Sequence, residues 1–252
     1  MAAPVLVREI TIVVPAYNEA QRIGPSLDKI LAFLPAHFAS SEILLVDDGS
    51  TDGTGDLVQT RFGDRVRVIR QPRRRGKGAA VRAGILAARK PWVLFVDADL
   101  SIPIEEALSL CAHTDRAPIV IGSKRAPGSE IEYPLTRRLL GGIGQSMISL
   151  LVVGGFHDTQ CGIKLYRADV ARELFSLSRI DGFGFDFEIL FLARRLGRDV
   201  FEVPIHCQHM IGGTVRLGTY LRVLSEVARV TSYRLRGLYP RPTSRGKVYR
   251  PT

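Results

Sequence analysis

The chain has 252 residues, 46% hydrophobic and 24% charged, which is enough apolar material for one large core, and nothing in it reads as a long linker. Its three cysteines, Cys111, Cys161 and Cys207, lack the paired spacing of a disulfide framework or a zinc site, which argues against both and predicts reduced thiols in a cytosolic setting. The net charge of +10 comes without a helix-turn-helix, zinc-finger or aromatic RNA-binding signature, so nucleic acid is not an expected partner.

The opening stretch, MAAPVLVREITIVV, has no basic region followed by a small-residue cleavage site, and Arg8 and Glu9 interrupt its apolar run, so it predicts no signal peptide. Residues 10–14 (ITIVV), 42–46 (EILLV), 66–69 (VRVI), 92–96 (WVLFV) and 118–121 (PIVI) are short, β-branched and bounded by turn residues, as buried strands are. Helical spacing or start signals mark 19–34, 53–61, 77–89 and 104–112, with Thr51 and Asp52 ahead of the second. This alternation predicts an α/β fold: a mostly parallel, doubly wound sheet flanked by helices, with ligands at the carboxyl ends of the strands.

Four motifs fall at such ends. In VPAYNE (14–19), Pro15 forces a turn and leaves Tyr17 and Glu19 as a nucleoside-contacting platform. In VDDGSTDGT (46–54), an Asp-Gly turn and a helix cap explain Gly49 to Asp52, but not the adjacent Asp47 and Asp48, one of which is expected to face a ligand crevice. In FVDADLS (95–101), Asp97 and Asp99 are two apart, so an extended backbone would point both to one face. Their repulsion calls for a cation, and Mg²⁺ or Mn²⁺ bridging carboxylates to phosphates fits. Finally, Arg73-Arg74-Arg75-Gly76-Lys77-Gly78 opens a helix and would bring Lys77 and backbone amides toward a diphosphate.

The second half is less regular. Residues 139–156 are nearly uncharged and about as long as the ~18-residue minimum of a membrane span. Five glycines with Gln145, Ser146 and Ser149 favour instead a helix buried in the protein or lying along its surface, with an interfacial segment dipping into lipid as the alternative. FDFEIL (185–190) is either a helix start or a site for Asp186, with Glu188 second, as general base toward a hydroxyl acceptor. Residues 219–236 form an amphipathic helix with Arg222, Ser225, Glu226, Arg229, Ser232 and Arg236 on one stripe, a solvated face or a dock for anionic lipid. Residues 214–252 hold nine Lys/Arg against one Asp/Glu, and 237–252 is expected to be a flexible basic tail behind a 1–236 domain.

VPAYNE, VDDGSTDGT and the Asp-x-Asp pair, in this order over about a hundred residues, resemble the family 2 glycosyltransferases of GT-A fold. RGKG, GSKRA (122–126), DTQCGIKLYR (158–167), FGFDFEIL (183–190) and EVPIHCQHMIGG (202–213) are similar to the dolichyl-phosphate β-glucosyltransferases and the polyprenyl-phosphate mannosyltransferases. The resemblance implies an inverting, metal-dependent transfer of a hexose from a nucleotide sugar, UDP-glucose ahead of GDP-mannose, to a polyprenyl phosphate. The protein would lie peripherally on the cytoplasmic face of an anionic membrane, with a membrane subunit or a second copy left open as a partner. It further implies that Pro15, Tyr17, Glu19, Val46 and Asp48 hold the nucleoside and that Asp97 serves the ribose side. Asp99 would be the direct ligand of Mg²⁺ or Mn²⁺. Lys77, Lys124 and Arg137 or Arg138 would meet phosphate, and Asp158, Gln160 and Arg216 the acceptor. Ser101 stands where the mannosyltransferases carry a metal-binding Gln, and Arg216 lies near the place of a family Lys; His206 or His209 would be a metal nitrogen. A glycan or small-molecule acceptor, and a non-catalytic nucleotide-sugar-binding protein, are the competing readings.

Overall fold

The computed structural model describes residues 7–131, 153–207, 217–243 and 245–251. Its centre is an eight-stranded sheet in the order β10-β8-β5-β7-β4-β1-β2-β3. β1 (Glu9–Ala16), β2 (Ser40–Asp47), β3 (Arg67–Arg70) and β4 (Trp92–Val96) run parallel, joined through α1 (Ile23–His37), α2 (Thr54–Phe62) and α3 (Lys77–Ala87). After α4 (Glu106–Cys111), β5 (Ile119–Ser123) leads to a short β6 (Glu130–Ile131). β7 (Ile163–Arg167) then inserts antiparallel between β4 and β5. α5 (Ala168–Leu177), α6 (Phe185–Arg195), β8 (Val200–Pro204), β9 (His206–Cys207), α7 (Leu217–Leu235) and β10 (Val248–Tyr249) follow, numbered among the described residues. β6 and β9 form a small separate pair.

Strand alternation sorts the core into two layers. Ile10, Ile12, Val14, Ile43, Leu45 and Leu94 pack with α1, α2 and α4; Val13, Leu44, Val46, Val93 and Phe95 pack with α3, α5, α6 and α7. A sheet covered on both faces leaves its strand ends as the open ground for a ligand.

The five expected strands and the helices near 19–34, 53–61, 77–89, 104–112 and 219–236 are present with small shifts of their ends. The 139–156 segment falls largely outside the described residues. Among the described residues no helix is long and apolar enough to cross a membrane.

The basic tail departs from its expected flexibility. β10 pairs in parallel with β8, the Arg250 guanidinium donates to Glu202 at 3.2 Å and to the Gly155 carbonyl at 2.5 Å, and Tyr239 is buried. The Tyr239 hydroxyl donates at 2.6 Å to Glu188, which also accepts the Arg179 and Ile180 N–H groups at 2.8 and 2.9 Å. Glu188 is therefore a buried anchor joining α6, the loop before it and the tail. Tyr239→Phe removes one of three donors from a buried carboxylate and should lower the urea unfolding free energy by about 1–3 kcal/mol; a tail that held nothing would leave it unchanged.

Candidate active site

The carboxyl ends of β1, β2 and β4 and the N-terminus of α3 border a cavity of about 700 Å³. Pro15, Tyr17, Glu19, Asp48, Lys77, Asp97 and Asp99 line it, and Asp181 to Phe183 with Ser225, Glu226 and Arg229 of α7 complete the wall.

The first two motifs bind each other. The Asn18 N–H donates to Ser50 Oγ and Asn18 Oδ1 accepts the Thr51 N–H, at 3.0 and 2.9 Å; the Glu19 and Ala20 N–H groups donate to Thr54 and Asp52. Asn18 takes φ 55° to make these contacts, a conformation Asn tolerates better than most residues. The polar residues of both loops thus hold the two loops together, while Glu19 forks onto Arg22 with two bonds of 2.9 Å. Burial raises the Glu19 pKa; Arg22 opposes this and Asp99 adds to it.

Asp48 has a specific task. Its two oxygens accept the Arg75 and Gly76 N–H groups, each at 2.8 Å, and so clamp the basic loop at the end of β2. Gly76 sits at φ 124°, where a Cβ would stand 2.4 Å from the Asp181 carbonyl oxygen. The Ala79 N–H is given to that same carbonyl, so the Arg75, Gly76 and Ala79 amides of the expected cradle are taken up by protein oxygens. What the loop presents to the cavity is side-chain charge. Arg74 lies 4.0 Å over the Tyr17 ring, a cation–π contact on the proposed nucleoside platform.

Asp97 and Asp99 share the cavity, although not by strand alternation. β4 ends at Val96, the Leu100 N–H bonds to the Asp97 carbonyl at 3.1 Å, and Leu100 has φ 45°, so the pair sits on a tight turn. Lys77 Nζ stands 2.7 Å from Asp97 Oδ1 and near the rings of Phe95 and Phe183. Burial would lower the Lys77 pKa, but Asp97 and then Asp186 outweigh it, so the ammonium is held above its ordinary range. Behind Asp97, a Cβ on Gly162 would lie 2.3 Å from Oδ2, so the glycine of DTQCG leaves room for the carboxylate as it stands. Asp99 Oδ1 accepts the Ser101 N–H at 3.0 Å. Two hard oxygen donors facing one cavity fit Mg²⁺ or Mn²⁺ completed by phosphate and water. Among the described residues, no cluster of three or more His, Cys, Asp or Glu adds to them.

Other expected site residues lie elsewhere. Val46 is fully buried in the core, on the α3 side of the sheet. Asp186 is buried against fully buried Lys164, 2.5 Å away, and does not line the cavity; burial raises its pKa, offset in part by Lys164 and Lys77. Glu188 is the anchor described above, so both carboxylates expected as general bases hold protein donors and lie outside the cavity lining. Asp158 is buried and accepts the backbone N–H groups of Lys124 and Gln160, at 3.2 and 3.0 Å, so it shapes the loop after β5. Lys124 and Gln160 are half-buried and outside the cavity lining, although the Lys124 charge reaches Lys77. Ser101 acts through its N–H, and His206 Nδ1 is 2.8 Å from Glu106. Arg137, Arg138, His209 and Arg216 lie outside the described residues.

Sequence reasoning missed Arg74 as a ring partner, Asp181 and Phe183 as wall, and the turning of Ser225, Glu226 and Arg229 to the cavity. Arg82 braces that wall, donating to Asp181 at 2.7 Å and to Ser178 at 2.8 Å. Glu226, read as part of a surface stripe, is buried and accepts the Gly184 N–H at 2.6 Å. The glycines of DGFGF were the available signal, since they mark a backbone approached closely by a neighbouring element.

A strand-end cavity with paired carboxylates and a lysine, on a mostly parallel sheet flanked by helices, is an α/β ligand site. Residues 11–175 match the family described as Glycosyl transferase family 2. The chain is 34% identical over 245 residues to a dolichyl-phosphate beta-glucosyltransferase of Trichomonas vaginalis, covering 91% of this chain and 72% of that one. It is 32% identical over 201 residues to the undecaprenyl-phosphate mannosyltransferase of Micrococcus luteus, covering 77% and 81%. In fold it resembles glucosyl-3-phosphoglycerate synthase from Mycobacterium tuberculosis, solved with Mn²⁺, UDP-glucose and phosphoglyceric acid: TM-score 0.66, 20% identity, 90% and 79% covered. The chain belongs to glycosyltransferase family 2 and has the GT-A fold.

Asp48→Asn places an amide NH₂ against a backbone donor and should release the basic loop. Tryptic cleavage within residues 73–77 should accelerate by roughly tenfold or more in native buffer. An unchanged rate would mean that Asp48 does not restrain the loop.

Proposed function

We propose that this enzyme transfers a hexose, glucose from UDP-glucose in the favoured case and mannose from GDP-mannose in the other, to a polyprenyl phosphate at the cytoplasmic face of a membrane, inverting the anomeric carbon. The observation that carries the reading is the state of the carboxylates around the cavity. Glu19, Asp48, Asp97, Asp181 and Glu226 each already hold a protein donor, and Asp186 is bound to Lys164 outside the cavity lining. Such a site orients and neutralises phosphate better than it deprotonates a hydroxyl. A lipid phosphate, with a second pKa near ~6, is already largely dianionic at neutral pH and needs positioning more than a base. The lipid-phosphate acceptors named for the two relatives agree with this.

Pro15, Tyr17 and Glu19 would hold the nucleoside, with Asp48 acting through the loop it fixes, and Asp97 and Lys77 would flank the diphosphate. Asp99, together with Asp97, would hold Mg²⁺ or Mn²⁺, which supplies charge neutralisation as the diphosphate leaves. The fold neighbour solved in complex with Mn²⁺ and UDP-glucose agrees with this ligand chemistry. An acceptor phosphate oxygen then forms the bond to the sugar C1 opposite the departing diphosphate oxygen, which takes the electron pair of the broken bond. Lys77 is placed to stabilise that charge because its neighbours keep it protonated.

With labelled UDP-glucose, Mg²⁺ or Mn²⁺ and polyprenyl phosphate, label should enter the organic phase with wild type and fall by about a hundredfold or more with folded Asp99→Ala. EDTA should abolish transfer and added metal restore it. Label confined to water-soluble products across UDP and GDP sugars would overturn the lipid acceptor; full activity of Asp99→Ala would overturn the role of Asp99.

A further inference from the structure

Three features together single out Lys77. Its ammonium sits on Asp97 Oδ1 at 2.7 Å, a place a divalent cation would otherwise take. The other oxygen of Asp97 faces Gly162, whose missing Cβ leaves room for it. A cation approaching Asp97 while Lys77 stays in place would meet the ammonium's like charge. Lys77 itself is the first residue of α3, and its side chain is 22% exposed, so its head can swing into the cavity without disturbing the core. Around it, the rings of Phe95 and Phe183 lie 5.2 and 5.9 Å from Nζ, and the buried Asp186 adds a second, more distant negative charge.

Resting on the nucleotide-sugar reading above, we propose that Lys77 is a tethered stand-in cation that makes metal and nucleotide bind as a unit. In the free protein it neutralises Asp97 and opposes metal binding by like-charge repulsion and by occupying the oxygen. An arriving diphosphate offers more negative charge than one carboxylate and draws the ammonium onto its own oxygens. Asp97 Oδ1 then becomes available to a cation. The metal alone is bound weakly, the diphosphate alone is bound against two uncompensated aspartates, and the two together are bound tightly. The coupling is reciprocal, as any equilibrium linkage must be.

The test measures Mn²⁺ binding to the full chain by titration calorimetry or by paramagnetic resonance of free Mn²⁺, with and without UDP, in wild type, Lys77→Met and Lys77→Arg. Methionine keeps the length and loses the charge; arginine keeps the charge and serves as the folded control. Without UDP, Lys77→Met should bind Mn²⁺ about tenfold more tightly than wild type, while Lys77→Arg stays weak. UDP should tighten Mn²⁺ binding by about tenfold or more in wild type and by much less in Lys77→Met. Equal or weaker Mn²⁺ affinity of Lys77→Met without UDP, with a wild-type melting temperature, would overturn the proposal and leave the metal site standing. If Lys77→Met is misfolded, wild type alone decides: an Mn²⁺ affinity that UDP does not change overturns the coupling. Failure of Mn²⁺ to bind wild type even with UDP would overturn this proposal and the metal-dependent reading together.

Discussion

A carboxylate at the end of a buried parallel strand has to be met by donors or by a cation, because a low-dielectric surround makes an unpaired charge expensive. Much of this molecule is arranged by that demand. Asp48 draws the Arg75–Gly76 amides across from β2 and so fixes the start of α3. That placement carries Lys77 to Asp97, which gives the turn after β4 its partner. Asp181 is held by Arg82 on the same helix, and the loop it belongs to then receives Glu226 from α7 through the Gly184 N–H. The cavity is enclosed by a chain of such pairings, and it retains a mixed lining of anions and cations suited to a ligand that brings both a diphosphate and a metal ion.

Elsewhere the same demand serves stability. Buried Glu202 accepts the His157 and Asp158 N–H groups and the Arg250 guanidinium, and Glu188 gathers two amides and the Tyr239 hydroxyl. Lys164 and Asp186, both buried, tie β7 to α6. A buried pair of this kind is weak evidence of net stabilisation, yet either partner alone would be strongly unfavourable. It also holds Asp186 in an ion pair outside the cavity lining.

The first half of the fold was legible because ITIVV, EILLV and WVLFV are uniformly apolar and end in turn residues. β7 was not, since IKLYR hides a buried lysine whose partner lies 22 residues on, a pairing no local pattern announces. β10 is two residues of a basic segment held by backbone pairing to β8, so composition pointed to disorder where the edge of the sheet supplied order. In the site, residue types were legible and some of their reasons were not. Asp97 and Asp99 were read as same-face positions of a strand, but a turn with Leu100 in the left-handed region brings them to the cavity. Val46 belongs to a motif and points into the core. Glu226 looks in sequence like any solvated helix residue, and only the close approach of Gly182 and Gly184 reveals that it is inside.

The central claim is that Asp99, at the turn after β4, receives a divalent cation together with a nucleoside diphosphate. Crystals grown with Mn²⁺ and UDP, measured at the manganese absorption edge, test it directly. One anomalous peak within coordination distance of an Asp99 oxygen and of the diphosphate is the expected result. A peak on other residues, or a bound diphosphate with no manganese and Asp99 still held only by the Ser101 N–H, would contradict it.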